Sequence, residues 1–147
     1  MIYLVSACLV GINCRYDGAN SYSARVSSFL EGRQFLPVCP ELLAGLGVPR
    51  PACRFSGGDG QAVLAGAAQI LDENGNDLTE SYLIGANKAL AFVRERGITS
   101  ALLNERSPSC GVHEVYIGRD KTPGMGVMTA LLVREGIRVM SDEQPFV

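Results

Sequence analysis

Three apolar runs in this chain end alike, each running into a turn that presents a cysteine, and this repeated ending constrains the fold more than any other feature. Ile2–Val5 leads to Cys8, Leu36–Val38 leads directly to Cys39-Pro40-Glu41, and Ala101–Leu103 leads to Ser107-Pro108-Ser109-Cys110-Gly111. A residue ahead of proline is biased to extended backbone, and glycine takes a positive φ that other residues resist, so Ser107–Gly111 is built as a turn that displays a side chain. Three strand ends carrying cysteines point to one shared site rather than three unrelated thiols.

Between these runs the pattern alternates strand and helix. Val26, Phe29 and Leu30 mark the core face of a short helix over 21–30, with Gly32 past its end. Pro40 and Glu41 suit a helix first turn, where proline is tolerated and a carboxylate meets the positive end of the dipole. Asp77 or Thr79 can cap a long amphipathic helix running to Arg96, with Leu83, Ala86, Leu90 and Val93 on one face and Gly97 closing it. A second helix is expected over 126–135 and a last strand over 138–141. The Gly/Pro-rich middle, 45–66, reads as loop or a small irregular sheet, followed by a strand over 68–72 and a turn over 73–76. The expectation is one α/β, Rossmann-like domain over 1–147, its mostly parallel sheet flanked by helices, with a small irregular Gly/Pro-rich insertion. Ligands of such sheets bind beyond the carboxyl ends of the strands, near a topological switch point, where Cys8, Cys39 and Cys110 fall.

The chain has 147 residues and a net charge of −2, with acidic and basic residues mixed along it. That length supports a core without staples. The charge offers no footprint for nucleic acid and no basic face for a membrane. The N-terminal apolar run is too short to span a bilayer and lacks the charged start of a signal peptide, so a cytoplasmic protein is expected. Five cysteines, an odd count, argue against a disulfide framework in a reducing compartment and leave structural thiols, a catalytic thiol or metal ligands. The six-residue step from Cys8 to Cys14 is not the spacing of a zinc knuckle.

Each feature has a plainer role. Cys53, in the irregular middle, reads as a packing residue. Glu41 can simply complement a helix dipole, Ser107 can open a turn, and His113, the only histidine, reads as a surface loop residue. Ser56–Gly60 (Ser-Gly-Gly-Asp-Gly) matches no phosphate-binding fingerprint and reads as a turn.

Several motifs together resemble one bacterial family. They are Ser6–Gly11 (Ser-Ala-Cys-Leu-Val-Gly), Cys14–Gly18 (Cys-Arg-Tyr-Asp-Gly), Pro37–Glu41 (Pro-Val-Cys-Pro-Glu), Pro49–Pro51 (Pro-Arg-Pro), Gly57–Asp59 (Gly-Gly-Asp), Glu105–Gly111 (Glu-Arg-Ser-Pro-Ser-Cys-Gly) and Gly126–Leu132 (Gly-Val-Met-Thr-Ala-Leu-Leu). The family was long catalogued as a domain of unknown function and includes a thiouracil desulfidase, an oxygen-sensitive enzyme whose [4Fe-4S] cluster is held by three cysteines. The chain departs from the family pattern at Arg54, at Asn104 and over 112–118.

The resemblance implies a cluster on three of Cys8, Cys14, Cys39 and Cys110, a catalytic glutamate at Glu41 and a catalytic serine at Ser107. The strand-end argument then selects Cys8, Cys39 and Cys110, leaving Cys14 as a nearby thiol that guards the cluster or replaces a ligand. Three soft thiolates leave one iron without a protein ligand, open to a soft thiocarbonyl sulfur. A carboxylate can activate water and a hydroxyl can orient it, so that C=S becomes C=O with release of hydrogen sulfide and no net redox. The implied partner is a small thiolated molecule, 2-thiouracil or a related nucleobase, handled by a monomer or homodimer. A sulfur-donor or sulfide-carrier iron–sulfur protein, and a non-enzymatic metal or redox-sensing module, are the alternatives.

Overall fold

Strand β1 (Ile2–Ser6) lies inside a four-stranded parallel sheet ordered β2-β1-β5-β8, where β2 is Gln34–Val38, β5 is Ser100–Leu103 and β8 is Arg138–Ser141. The computed structural model describes residues 1–145; Phe146 and Val147, the end of the expected 1–147 domain, lie outside the described residues. Alternation along the strands feeds two cores. Leu4, Ala101 and Leu103 join one cluster with helices α4 (Thr79–Arg96) and α5 (Val127–Arg134). Val5, Leu102 and Met140 join the other with Val26 and Leu30 of α1 (Ala24–Leu30). Apolar burial on both faces is what an all-parallel sheet requires, and the expected sheet flanked by helices is observed.

Local chemistry explains the helix ends. Helix α1 starts at Ala24, three residues later than expected, because the Ser23 side chain accepts the Val26 amide at 3.2 Å. Helix α4 starts at Thr79: Asp77 accepts the Thr79 amide at 2.9 Å, and the Thr79 hydroxyl accepts the Ile70 amide at 2.9 Å, tying the helix to the preceding strand. Ala86, Leu90 and Val93 are buried as their spacing requires.

The Gly/Pro-rich middle is more ordered than its composition indicates. Residues 45–52 stay outside α-helices and strands, but Cys53–Ser56 forms β3 and Gly60–Leu64 forms α3. Strand β3 pairs antiparallel with β4 (Gln69–Asp72) and in parallel with β6 (Glu114–Ile117), which forms a hairpin with β7 (Asp120–Pro123). The result is a second, mixed sheet ordered β4-β3-β6-β7. Its four-residue strands are too short for a clear alternation, and β7 is polar. Phe55, Ile70 and Val115 of this sheet share the cluster that holds Leu4 and Ala101 of the first.

The first sheet changes direction at β1 and β5. From β1 the chain passes through α1 to β2 on one side, and from β5 through α5 to β8 on the other. At the carboxyl ends of this pair the Ser6 hydroxyl accepts the Asn104 amide at 2.9 Å. Among the described residues, no helix is long and apolar enough to cross a membrane.

Candidate active site at the carboxyl ends of the parallel strands

Cys8 follows β1 in a 3-10 turn, Ala7–Val10, closed by Gly11 at φ 93°. The Cys8 carbonyl accepts the Ser21 amide at 3.0 Å, folding the 11–20 loop back over the strand end and burying Cys14. Arg50 anchors that loop from below, donating to the Cys14 carbonyl at 2.9 Å. Cys39 follows β2 and occupies the position before α2 (Pro40–Leu43), so Pro40 and Glu41 are the first helical residues, as expected. The Glu41 side chain is nearly buried, 7% exposed, and accepts from the Cys39 thiol at 3.8 Å.

The third loop is held from both ends. The Ser107 hydroxyl oxygen accepts the amides of Ser109 at 3.1 Å and Cys110 at 3.2 Å. The carbonyls of Pro108 and Ser109 accept amides from Val127, Met128 and Thr129, the unpaired donors at the start of α5, and the Thr129 hydroxyl donates to the Cys110 carbonyl at 3.0 Å. The left-handed residue that enters this loop is Arg106, at φ 67°, and not Gly111. Gly111 is needed for space: a Cβ there would meet Val115 at 2.7 Å and the Glu114 carbonyl at 2.9 Å. Arg106 is fixed in turn by ion pairs to Glu114 and Glu143.

These loops enclose a cavity of about 500 Å³. Cys8, Cys39, Cys110, Glu41 and Ser107 all line it, together with Cys14, Cys53, Arg50, Tyr82 and Asn104. Contact with Cys39 lowers the Cys14 pKa, but contact with Cys8, burial and the Glu41 charge outweigh it, pushing the thiol up to about 11. Contact with Cys14, then burial and the Glu41 charge, push Cys39 well above the usual thiol range. Burial, then the Glu41 charge, does the same to Cys110, against the opposing contacts of Ser6 and Ser107. Thiols held in this way are protonated at neutral pH and release protons when they bind a metal. Among the described residues, no group of three or more His, Cys, Asp or Glu side chains is arranged to hold a single metal ion.

Residues 3–144 match the 2-thiouracil desulfurase family. The chain belongs to that family. It is 41% identical over 144 residues to the uncharacterized protein YbbK of Bacillus subtilis (strain 168), covering 96% of this chain and 95% of that protein. Its structure is similar to that of the [4Fe-4S]-dependent thiouracil desulfidase TudS, with a TM-score of 0.82 and 39% identity over 97% of this chain and 91% of the other.

Within this member of the 2-thiouracil desulfurase family, the cavity recruits residues whose local sequence carried another meaning. Cys53, read as a packing residue, lines the cavity from the start of β3, and Tyr82 reaches it from the first turn of α4. Neither position bears a local signal, because each is brought in by pairing or packing between distant segments. Glu105 lay within a recognised motif without an assigned role. Its carboxylate accepts the amides of Val112 at 2.8 Å, His113 at 2.9 Å and Glu114 at 3.3 Å, and meets His113 Nδ1 at 3.0 Å. His113 is largely exposed, as expected of a surface loop.

Proposed function

We propose that this chain carries out the iron–sulfur-dependent, non-redox desulfuration of a small thiocarbonyl compound, 2-thiouracil or a related thiolated nucleobase, releasing hydrogen sulfide. One observation carries the reading: the thiols of Cys8, Cys39 and Cys110 share a single cavity with the Glu41 carboxylate and the Ser107 hydroxyl. The likeness to a [4Fe-4S]-dependent desulfidase supports it. The donor set fits the cofactor, since thiolates are the usual ligands of iron–sulfur clusters and no histidine lines the cavity. The cavity volume also falls within the range of small-ligand sites, roughly 300–1,000 Å³. Cys8, Cys39 and Cys110 would hold three irons of a [4Fe-4S] cluster and leave the fourth without a protein ligand, with Cys14 as the neighbouring thiol able to replace Cys8. When bound, such a cluster supplies a soft Lewis acid for a thiocarbonyl sulfur.

The chain's own groups supply the rest. Glu41, beside the Cys39 thiol, takes a proton from the attacking water and returns it to the departing sulfur. Ser107 accepts two loop amides through its oxygen and turns its O–H toward the Cys110 sulfur, from where it can orient water or substrate. Water adds at the thiocarbonyl carbon, the C–S bond breaks and C=O forms. One water is consumed, one hydrogen sulfide leaves and no electrons are exchanged. The working form is a cytoplasmic monomer or homodimer acting on a free small molecule.

Anaerobic purification with iron and sulfide analysis tests the cofactor, with about four of each expected per chain. Incubation with 2-thiouracil should release sulfide and uracil in equal amounts. Replacing each cysteine by serine in turn should remove iron at positions 8, 39 and 110 and spare most of it at 53. Full iron retention in the Cys39 or Cys110 variant overturns the ligand set, and loss at Cys14 but not Cys8 exchanges those two. Sulfide passed to a protein acceptor without uracil formation would favour a sulfur carrier.

A further inference from the structure

The cavity has a second polar wall, formed by Arg50, Cys53 and Tyr82, that the reaction described above does not use. Tyr82 is only 3% exposed, with its ring in the main core. Its hydroxyl meets the Cys53 thiol, and the Cys53 S–H points to the Pro51 carbonyl at 3.7 Å, so the sulfur is free to accept. Arg50 is held in place by two of its five N–H groups, which donate to the carbonyls of Cys14 at 2.9 Å and Gly47 at 3.3 Å.

Helix packing sets Tyr82 against Glu41. Helix α4 lies so close to α2 that a Cβ at Gly85 would stand 2.1 Å from the Pro40 carbonyl oxygen. Gly85 is three residues after Tyr82 and shares its helix face. The Glu41 carboxylate acts on Tyr82 through space and takes its hydrogen bond from the Cys39 thiol, and both side chains line the cavity. Burial, followed by the Glu41 charge, pushes the Tyr82 hydroxyl far above the usual phenol range, so it stays a neutral donor.

A thiolated uracil carries an oxo group as well as its thiocarbonyl. With the sulfur directed to the thiol end of the cavity, the oxo oxygen needs a donor elsewhere. We propose that the Tyr82 hydroxyl turns its one O–H from the Cys53 sulfur, a weak acceptor, to the oxo group of the substrate ring and so selects thiolated rings that carry one. The proposal rests on the desulfuration reading above. An analogue lacking the oxo group offers the O–H nothing better than the sulfur it already meets, so it gains nothing from Tyr82.

The test compares 2-thiouracil with pyrimidine-2-thione, which lacks the oxo group, on the iron-loaded parent, Tyr82→Phe and Cys53→Ala proteins. Uracil binding by equilibrium dialysis gives a readout independent of turnover. Tyr82→Phe should keep its iron and sulfide and raise KM for 2-thiouracil about five- to tenfold with little change in kcat, the loss expected for one neutral hydrogen bond. Uracil binding should weaken by a similar factor, while pyrimidine-2-thione is handled as by the parent. Cys53→Ala removes the competing acceptor, so it should lower KM for 2-thiouracil and tighten uracil binding about two- to threefold, and that opposite sign decides the matter if Tyr82→Phe loses iron. Equal losses on both substrates, or unchanged KM and uracil binding, overturn the role of Tyr82 alone. A parent that releases no sulfide from 2-thiouracil overturns the desulfuration reading and this inference with it.

Discussion

Single side chains here hold the loops and line the cavity at once. The Ser107 oxygen fixes the turn before Cys110 by accepting two amides. Ser107→Ala should therefore cost about 1 kcal/mol in denaturant unfolding as well as slow desulfuration. Glu41 is bound to the loops by one long contact with the Cys39 thiol, so Glu41→Gln should keep iron content while lowering kcat about a hundred- to ten-thousand-fold. Glu105 anchors the same loop by charge. Burial opposes its ionisation, but the His113 and Val112 amides, the Ser141 hydroxyl and the His113 ring outweigh it and hold the carboxyl below its usual value. The stabilisation is complete above the ordinary glutamate pKa of the unfolded chain and is lost as pH falls through the lower folded-state pKa. Urea unfolding at pH 7 should show Glu105→Gln destabilised by about 1–3 kcal/mol, with the gap to the parent closing as the medium is acidified past that folded-state pKa.

At the scale of elements, the start of α5 acts as the seat of the Cys110 loop. Its first amides are satisfied by loop carbonyls, and the approach is possible because residue 126 has no side chain: a Cβ there would stand 2.4 Å from the Ser109 carbonyl. Gly126→Ala must displace the loop or the helix, so a loss of about 1–3 kcal/mol and a lower iron content are expected. Gly47→Ala is the control, because nothing lies within 4 Å of its Cβ position, and it should stay within about 0.5 kcal/mol of the parent. Thermal unfolding and iron analysis on the two variants check both expectations.

Across the whole molecule, one apolar cluster joins Leu4 and Ala101 of the parallel sheet to Phe55, Ile70 and Val115 of the mixed sheet. The two sheets should then unfold together, giving coincident transitions by far-ultraviolet circular dichroism and tyrosine fluorescence. Phe55→Ala should lower stability by about 3–5 kcal/mol without separating the two probes. Two resolved transitions would show that the sheets are independent units.

The sequence by itself determined the parallel strands, the main helices to within a few residues of their ends and the placing of Cys8, Cys39 and Cys110 after strands, because apolar period, proline and glycine act within a few residues. Only the tertiary structure decided how the strand expected over 68–72 is joined into a second sheet, since β3 and β6 meet at Phe55 and Ile117, far apart in the chain. It also decided that Arg106 rather than Gly111 takes the left-handed turn, and that Cys53 and Tyr82 face the cavity. Those outcomes depend on how closely one backbone can approach another, as Gly85 approaches Pro40, and such a distance leaves no periodic trace in the residues that create it.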